Sequence, residues 1–217
     1  MKKCILKRIV NKVCASFYYK KIRHNLPEYN ISIIGHDCLA GVSYHQMGKR
    51  FDSPFINTLI YMNDYLKLVS NFNEYIDCEL CELPNNTEDY PIGVLKPVNL
   101  DPIRINFVHD KDFSDCKKKW DERKSRIDFN KLVFYFNLTN VQDEKEVIEK
   151  AELFNKLDVP NKLIFIKHKL NIKNSIYINL DGKKIVNGLV TLHKNPKKYW
   201  ARNCDDMDYI NYFNFFM

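Results

Sequence analysis

Glycine is scarce in this sequence, with 6 residues among 217, and no long uninterrupted apolar run is present. Phosphate-binding loops of nucleotide-binding folds depend on closely spaced glycines, so such a loop is not expected here. Near the start of the chain, Lys or Arg interrupts the apolar residues every two or three positions, which excludes both a signal-peptide core and a membrane-spanning segment. We therefore expect a cytoplasmic protein.

The seven cysteines are odd in number and scattered, and no secretory signal precedes them. Free thiols in a reducing compartment are the expected state. Cys78 and Cys81 form a Cys-x-x-Cys pair, but no second pair of metal ligands accompanies it. The pair also lies in a predicted strand, where residues three apart face opposite sides. A redox or metal role for this pair is therefore not favoured.

Acidic residues are absent from residues 1–25, which contain eight Lys and Arg residues. The whole chain has a net charge of +7, so the residues after position 25 have a net charge of about −1. A nearly neutral folded domain argues against nucleic-acid binding. Ile5, Ile9, Val13 and Phe17 recur every four residues, as on one helix face. We predict a basic amphipathic helix that lies on an anionic membrane surface; the alternative is a helix packed on its own domain.

Residues 28–217 are predicted to form one α/β domain, because apolar strand segments alternate with amphipathic helices. The first strand ends at Gly35 and is expected near the centre of the sheet. Further strands are predicted at 75–80, 92–96, 103–108, 132–138, 163–167 and 176–179. Helices are predicted at 53–69, 114–127, 143–157 and 205–215, with a hairpin turn at 180–183. The pattern indicates a mainly parallel sheet with helices on both faces, a Rossmann-like three-layer arrangement.

Two predicted strands end in unusually polar residues. One is followed by His36 and Asp37, and the other by His109 and Asp110. In open α/β sheets ligands bind at the carboxyl ends of the strands, so these four residues are catalytic candidates. A histidine could act as a base toward a hydroxyl while a carboxylate from the other loop orients it. The alternative is structural, with Asp37 and Asp112 capping the following helices and the histidines bonding the backbone.

A group of cations lies on one face of a predicted helix. Lys119, Arg123 and Arg126 are spaced four and three residues apart, so their side chains share that face. The guanidinium group suits bidentate contact with phosphate, which makes this face a candidate phosphate site. The alternative is a solvated surface, with Asp121 and Glu122 forming ion pairs.

Three ordered motifs occupy the body of the chain. The first runs from Ile33 to Asn57, the second comprises Tyr90–Gly93 and Phe107–His109, and the third is Trp120–Asn130. Together they resemble a bacterial family described as domain of unknown function 1919, over roughly residues 28–200. Members of that family are commonly labelled capsular or exopolysaccharide biosynthesis proteins.

The resemblance implies surface-polysaccharide assembly. We therefore expect a peripheral membrane enzyme, glycosyltransferase-like or otherwise sugar-modifying, that acts on a sugar phosphate or nucleotide sugar. In this scheme the arginines hold phosphate and aromatic side chains stack on a sugar ring. The candidate substrate-binding residues are Tyr44, Ser53, Asn57, Trp120, Arg123 and Arg126. The alternative is a non-catalytic glycan- or nucleotide-sugar-binding subunit that recruits another enzyme to the membrane.

Two places depart from the family pattern. The pattern has two asparagines where this chain has His36 and Asp37, and a tyrosine where it has Asp110. If these loops form the site, this member gains acid–base groups or takes a different ligand. Asp110 and Asp112 also have the Asp-x-Asp spacing of a metal motif, but such triplets often arise by chance. No metal site is predicted, and the sequence does not identify a cofactor.

Overall fold

The computed structural model describes residues 31–178 continuously, and also residues 13, 16, 17, 20, 23, 24, 185, 186, 189 and 190. The turn predicted at 180–183 and the helix predicted at 205–215 lie outside the described residues. The six described residues between 13 and 24 are helical. None of the helices in the described part of the chain is both long and apolar enough to span a membrane.

The chain divides into two compact units. One consists of Met1–Tyr29, Val42–Arg50 and Leu180–Met217, and the other of Asn30–Gly41 and Phe51–Asn179. The second unit contains the large sheet and every candidate site residue except Tyr44.

From residue 31 onward, the described residues form nine short strands and five α-helices. The strands are β1 (Ser32–Ile34), β2 (Leu80–Glu82), β3 (Ile92–Leu95), β4 (Ile103–Asn106), β5 (Leu132–Asn137), β6 (Lys162–Ile166), β7 (Ser175–Tyr177), β8 (Ile185–Val186) and β9 (Leu189–Val190). The helices are α1 (Leu39–Met47), α2 (Met62–Ser70), α3 (Phe72–Asp77), α4 (Phe113–Lys124) and α5 (Glu144–Lys156).

The main sheet has four parallel strands in the order β1-β5-β6-β7. The predicted α/β class and mainly parallel sheet are confirmed. The predicted central position of β1 was wrong, because β1 is at the edge of the described sheet. An apolar run indicates that both faces of a strand are buried, but it does not show how many strands flank it. The strands flanked on both sides are β5 and β6, and all six residues of β5 are buried.

Helices α2, α3 and α5 pack against one face of β5. Phe72 of α3 makes an edge-on contact with Phe134, with 5.2 Å between ring centroids. Phe136, two residues further along β5, contacts Tyr65 of α2 at 5.7 Å and Phe154 of α5 at 5.3 Å. These rings form the centre of the main hydrophobic core.

A second, antiparallel sheet, β2-β3-β4, lies between β1 and β5 in the chain. The strand predicted at 75–80 was wrong over its first part, because Tyr75 and Ile76 belong to α3. Phe72, Tyr75 and Ile76 are buried at positions i, i+3 and i+4, which is helical spacing. Strand β2 begins only at Leu80.

The helix predicted to begin at Ser53 begins instead at Met62. Residues 51–60, called the 51–60 loop below, contain no helix. Ser53 Oγ does accept a hydrogen bond from the Phe55 amide at 3.3 Å, which is the local contact that the Ser-Pro pattern predicted. Leu59, however, pairs with Asn106 through two backbone hydrogen bonds of 2.8 and 2.9 Å. This tertiary pairing overrides the local helix signal.

Candidate functional site

The two polar strand ends meet through a thiol and an imidazole. Cys38 Sγ lies 3.2 Å from His109 Nε2. Cys38 is buried, whereas His109 is exposed, so the pair connects the interior with the surface. The sequence offered, as one hypothesis, a histidine base at one strand end, oriented by a carboxylate from the other. The structure joins the two strand ends through Cys38, the residue directly after the predicted Asp37.

The local backbone structure determines where both residues lie. Cys38 directly precedes the first residue of α1, where the helix dipole favours negative charge on a thiol. On the other side, a turn closes when the Asp110 amide donates to the Phe107 carbonyl at 3.0 Å. The Phe107 amide donates in turn to the Pro91 carbonyl at 3.0 Å, which ties the His109 turn to the segment before β3.

The thiol is protonated at neutral pH. Burial, followed by the charge of neighbouring Asp37, raises the pKa of Cys38 to about 12. The pair is therefore not a preformed thiolate–imidazolium ion pair. His109 Nε2 is within reach of the thiol proton and can accept it as Sγ attacks a substrate, provided that the ring carries its own hydrogen on Nδ1.

Asp37 is buried and fully hydrogen-bonded. Its Oδ1 accepts from the Leu39 amide at 2.9 Å and from the Tyr135 hydroxyl at 2.6 Å, and its Oδ2 accepts from Asn137 Nδ2 at 2.6 Å. Three donors compensate the carboxylate for its loss of water. These contacts cap α1 and attach it to β5. Asp112 similarly caps α4, accepting from the Asp115 amide at 3.0 Å. Both carboxylates thus make the contacts of the structural alternative.

The close approach of Tyr135 to Asp37 requires a glycine at position 35. A Cβ atom on Gly35 would overlap the Tyr135 ring, which lies directly against the backbone there. The hydroxyl of this ring also accepts from the Ala40 amide at 3.1 Å. Burial and then the Asp37 charge raise the pKa of Tyr135 well above its ordinary value, so the phenol stays a donor to Asp37.

His36 is enclosed by aromatic rings. Its centroid lies 5.2 Å from that of Phe136 and 5.3 Å from that of Tyr65. The Asn137 amide donates to His36 Nε2 at 3.0 Å, and burial lowers the pKa of the imidazole. The ring is therefore neutral and bonded to the backbone of β5.

The predicted arginine face of α4 contacts the 51–60 loop. Arg123 Nη1 donates to the Ile56 carbonyl at 3.2 Å, and its guanidinium lies 5.2 Å from the Phe51 ring centroid. Arg126 Nε donates to the Phe51 carbonyl at 3.0 Å. Arg126 also pairs with Glu122 at 2.7 Å and approaches Asp52 at 3.6 Å. Pairing of Arg126 with acids is the arrangement that the structural alternative predicted.

The 51–60 loop brings the Thr58 backbone to the thiol and the Asn57 side chain to the start of α1. Asn57 has a left-handed backbone with φ 61°, which asparagine tolerates better than most residues, and its side chain lies against Gly41. The Thr58 carbonyl oxygen lies 4.0 Å from Cys38 Sγ. Arg123 of α4 and Arg126, two residues beyond the end of that helix, therefore hold the loop that forms one wall around Cys38.

The comparison with known protein families agrees with the motifs. The model of the family described as Domain of unknown function (DUF1919) matches residues 9–214. The chain belongs to the DUF1919 family. An uncharacterized protein of Haemophilus influenzae is similar along its length, with 26% identity over 212 residues that cover 96% of each chain. All the candidate residues of this DUF1919 protein lie within the matched range.

Three of the predicted substrate-binding residues in this DUF1919 chain are buried. Ser53 is 0% exposed, and Tyr44 and Trp120 are each 1% exposed. The Trp120 ring makes edge-on contacts with Phe55 and Phe107, at 5.1 and 6.4 Å between centroids. Neither Tyr44 nor Trp120 presents a ring face to solvent in this structure.

The described residues contain no group of three His, Cys, Asp or Glu side chains placed to hold a metal ion. Of the Asp-x-Asp pair, Asp110 forms an ion pair with Lys119 and Asp112 caps α4. The ion pair with Asp110 also raises the pKa of Lys119. Both carboxylates of this pair therefore have partners within the protein.

Sequence reasoning missed Cys38 and Thr58 as site residues. Cys38 could have been recognised from the sequence. A cysteine directly after one strand and a histidine directly after another form a pattern that is typical of a nucleophile and its base. That the two meet depends on the pairing of Leu59 with Asn106, and no spacing in the sequence shows this. Thr58 carried no signal.

Proposed function

We propose that this DUF1919 protein is an enzyme that works by covalent catalysis, with Cys38 as nucleophile and His109 as general base. The observation that carries the proposal is the 3.2 Å separation between Cys38 Sγ and His109 Nε2 directly before α1. A nucleophile within hydrogen-bond reach of a base is the recurring arrangement of such enzymes. The helix dipole at this position stabilises the thiolate while it forms.

The reaction class is acyl transfer from an activated ester or thioester. His109 Nε2 takes the thiol proton while Sγ attacks the acyl carbon, and the bond to the leaving group breaks as Nε2 returns the proton to it. An acceptor hydroxyl then attacks the thioester, its proton passes through Nε2 to the departing sulfur, and the acyl group leaves on the acceptor. After the two steps Cys38 and His109 have regained their original protonation, and no oxidation or reduction takes place.

The acceptor that we propose is a sugar hydroxyl of a phosphate-linked precursor in surface-polysaccharide assembly. The family resemblance supports this acceptor. Among the expected activities, the geometry favours sugar modification over glycosyl transfer. The arginines expected to hold phosphate contact the 51–60 loop, and Asp110 is paired with Lys119.

We further propose that residues 1–25 attach the protein to the inner face of the membrane. Val13 and Phe17 lie four residues apart and are 49% and 71% exposed, and the segment carries eight cations and no acid. Apolar side chains on one face can enter the lipid interface, while each cation near anionic headgroups adds roughly 1 kcal/mol. Sedimentation of the full chain with anionic vesicles, weakened by salt and absent with neutral vesicles, is the expected result.

The second candidate is the non-catalytic binding subunit. The raised pKa of Cys38 favours it, because a thiol that stays protonated is inert until a base removes the proton. The two candidates differ in whether the thiol forms a covalent intermediate.

The test is acylation of the full chain by p-nitrophenyl acetate, followed through release of p-nitrophenolate. Wild type should show a burst equal to one acetyl group per chain, and Cys38→Ala should abolish it. Cys81→Ala is the matched control, because Cys81 is an exposed thiol outside the site. A burst that survives in Cys38→Ala, or disappears in Cys81→Ala, contradicts the proposed role of Cys38 as nucleophile. The non-catalytic binding subunit is then the remaining candidate function.

A further inference from the structure

The hydroxyl of Thr58 has no hydrogen-bond partner among the described residues, although the side chain is 0% exposed. A buried hydroxyl without a partner loses its water and gains nothing in return, so it costs stability. Buried polar groups are almost always paired, and an exception requires a physical reason. One such reason is that the group forms its hydrogen bond with a bound ligand.

Thr58 lies beside the proposed nucleophile and cannot shift easily to find a partner. Its carbonyl oxygen is 4.0 Å from Cys38 Sγ. The preceding residue, Asn57, holds a left-handed backbone, and the following residue, Leu59, is bound to Asn106 by hydrogen bonds in both directions. Asn106 Nδ2 adds a further bond to the Leu59 carbonyl at 2.8 Å. Thr58 is therefore held in place with its backbone carbonyl beside the thiol, and its own hydroxyl is left without a partner among the described residues.

Acyl transfer needs a donor for the carbonyl oxygen, which becomes an oxyanion when Sγ attacks. Backbone amides at the start of a helix often supply such donors. Here the Leu39 amide donates to Asp37 and the Ala40 amide donates to Tyr135, at 2.9 and 3.1 Å. The first two amides of α1 are thus occupied, whereas the Thr58 hydroxyl is not.

We propose that the Thr58 hydroxyl is the donor that binds the carbonyl oxygen of the acyl group during its transfer at Cys38. This role rests on the proposed function, because it concerns the same covalent step. The hydroxyl keeps its proton throughout and only donates a hydrogen bond to the developing oxyanion. Thr58 is then a catalytic residue that contacts the substrate.

Two reagents that attack the same thiol separate this role from a structural one. p-Nitrophenyl acetate passes through a tetrahedral oxyanion, whereas iodoacetamide reacts by displacement at a saturated carbon and forms none. In Thr58→Val, which removes the hydroxyl at nearly constant volume, acetylation of Cys38 should slow about 100- to 1000-fold, as for loss of one oxyanion donor. Alkylation of Cys38 should stay within roughly twofold of wild type, because the thiol and its base are unchanged.

The matched control is Thr58→Ser, which keeps the hydroxyl and should retain acetylation within about tenfold of wild type. The Tm of Thr58→Val should equal or exceed that of wild type, because an unsatisfied polar group is removed. If valine does not fit, Thr58→Ala repeats the comparison of the two reagents.

Two results would overturn the role of Thr58. In one, Thr58→Val acetylates at the wild-type rate. In the other, acetylation and alkylation fall together, which places the effect on the thiol itself. A wild-type chain that is never acetylated at Cys38 would overturn the proposed function as well, so the two failures are distinguishable.

Discussion

Replacement of Asp37 by asparagine should make Cys38 more acidic while making the protein less stable. The carboxylate is the second largest cause, after burial, of the rise in the Cys38 pKa to about 12. Removing its charge should lower that pKa, but not below 9, because burial remains. Each unit of decrease raises the thiolate fraction tenfold at neutral pH and corresponds to about 1.4 kcal/mol.

The stability cost follows from the hydrogen bonds that Asp37 accepts. Asparagine keeps one oxygen for the Leu39 amide and the Tyr135 hydroxyl, but its amide nitrogen then faces Asn137 Nδ2, which is also a donor. Loss of this charge-assisted bond should lower the free energy of unfolding by about 1.5–3 kcal/mol. Reactivity and stability therefore change in opposite directions in one variant.

The assay is the rate of Cys38 alkylation by iodoacetamide between pH 7 and 11, read by mass spectrometry on the full chain. This range lies below the wild-type pKa of about 12, so at each pH the alkylation rate should be higher in Asp37→Asn than in wild type. Asp112→Asn is the matched control, because Asp112 also caps a helix but does not act on Cys38. An alkylation rate in Asp37→Asn equal to or below that of wild type across this range would refute the electrostatic role of Asp37.

Two further outcomes concern His36 and Arg126. Burial lowers the pKa of His36 in the native state below the ordinary histidine value of 6.5. Below about pH 6.5 the unfolded chain therefore binds a proton at His36 that the native state does not bind. Stability should therefore fall as pH drops below about 6.5, and urea denaturation at pH 7 and pH 5 should show a smaller fall in His36→Asn than in wild type. Arg126→Lys loses the planar fork that binds Phe51 and Glu122, so the Tm should fall by about 2–4 °C for each kcal/mol lost. A nucleotide sugar that raises the Tm of wild type but not of Arg126→Lys would restore the phosphate role.

The parts of the fold that the sequence predicted well have a strong local pattern. Strands β3 to β7 and helices α4 and α5 lie within a few residues of their predicted bounds, because apolar spacing or an acidic cap marks each one. The start of α2 was missed because Leu59 pairs with β4, a contact across the chain that outweighs the Ser-Pro signal. The edge position of β1 depends on the strand order, and residue patterns do not carry that information.

The candidate site was predicted only as two polar strand ends, and whether they meet was left open. The rule that ligands bind at the carboxyl ends of strands in open α/β sheets pointed to the polar residues after β1 and after β4, although β4 lies in the antiparallel sheet. It did not distinguish Asp37, which caps α1, from Cys38, which contacts His109. Likewise, the spacing of Arg123 and Arg126 placed them on one face, but the 51–60 loop that this face binds became visible only in the structure.

The most direct test of the central claim is to locate the acetyl group after a brief reaction with p-nitrophenyl acetate, by peptide mass spectrometry of the quenched full chain. If Cys38 and His109 act as nucleophile and base, the acetyl group lies on Cys38 in wild type, and its rate of appearance falls about 100- to 10,000-fold in His109→Asn. An acetyl group on another residue, or equal rates of Cys38 acetylation in wild type and His109→Asn, would contradict the claim.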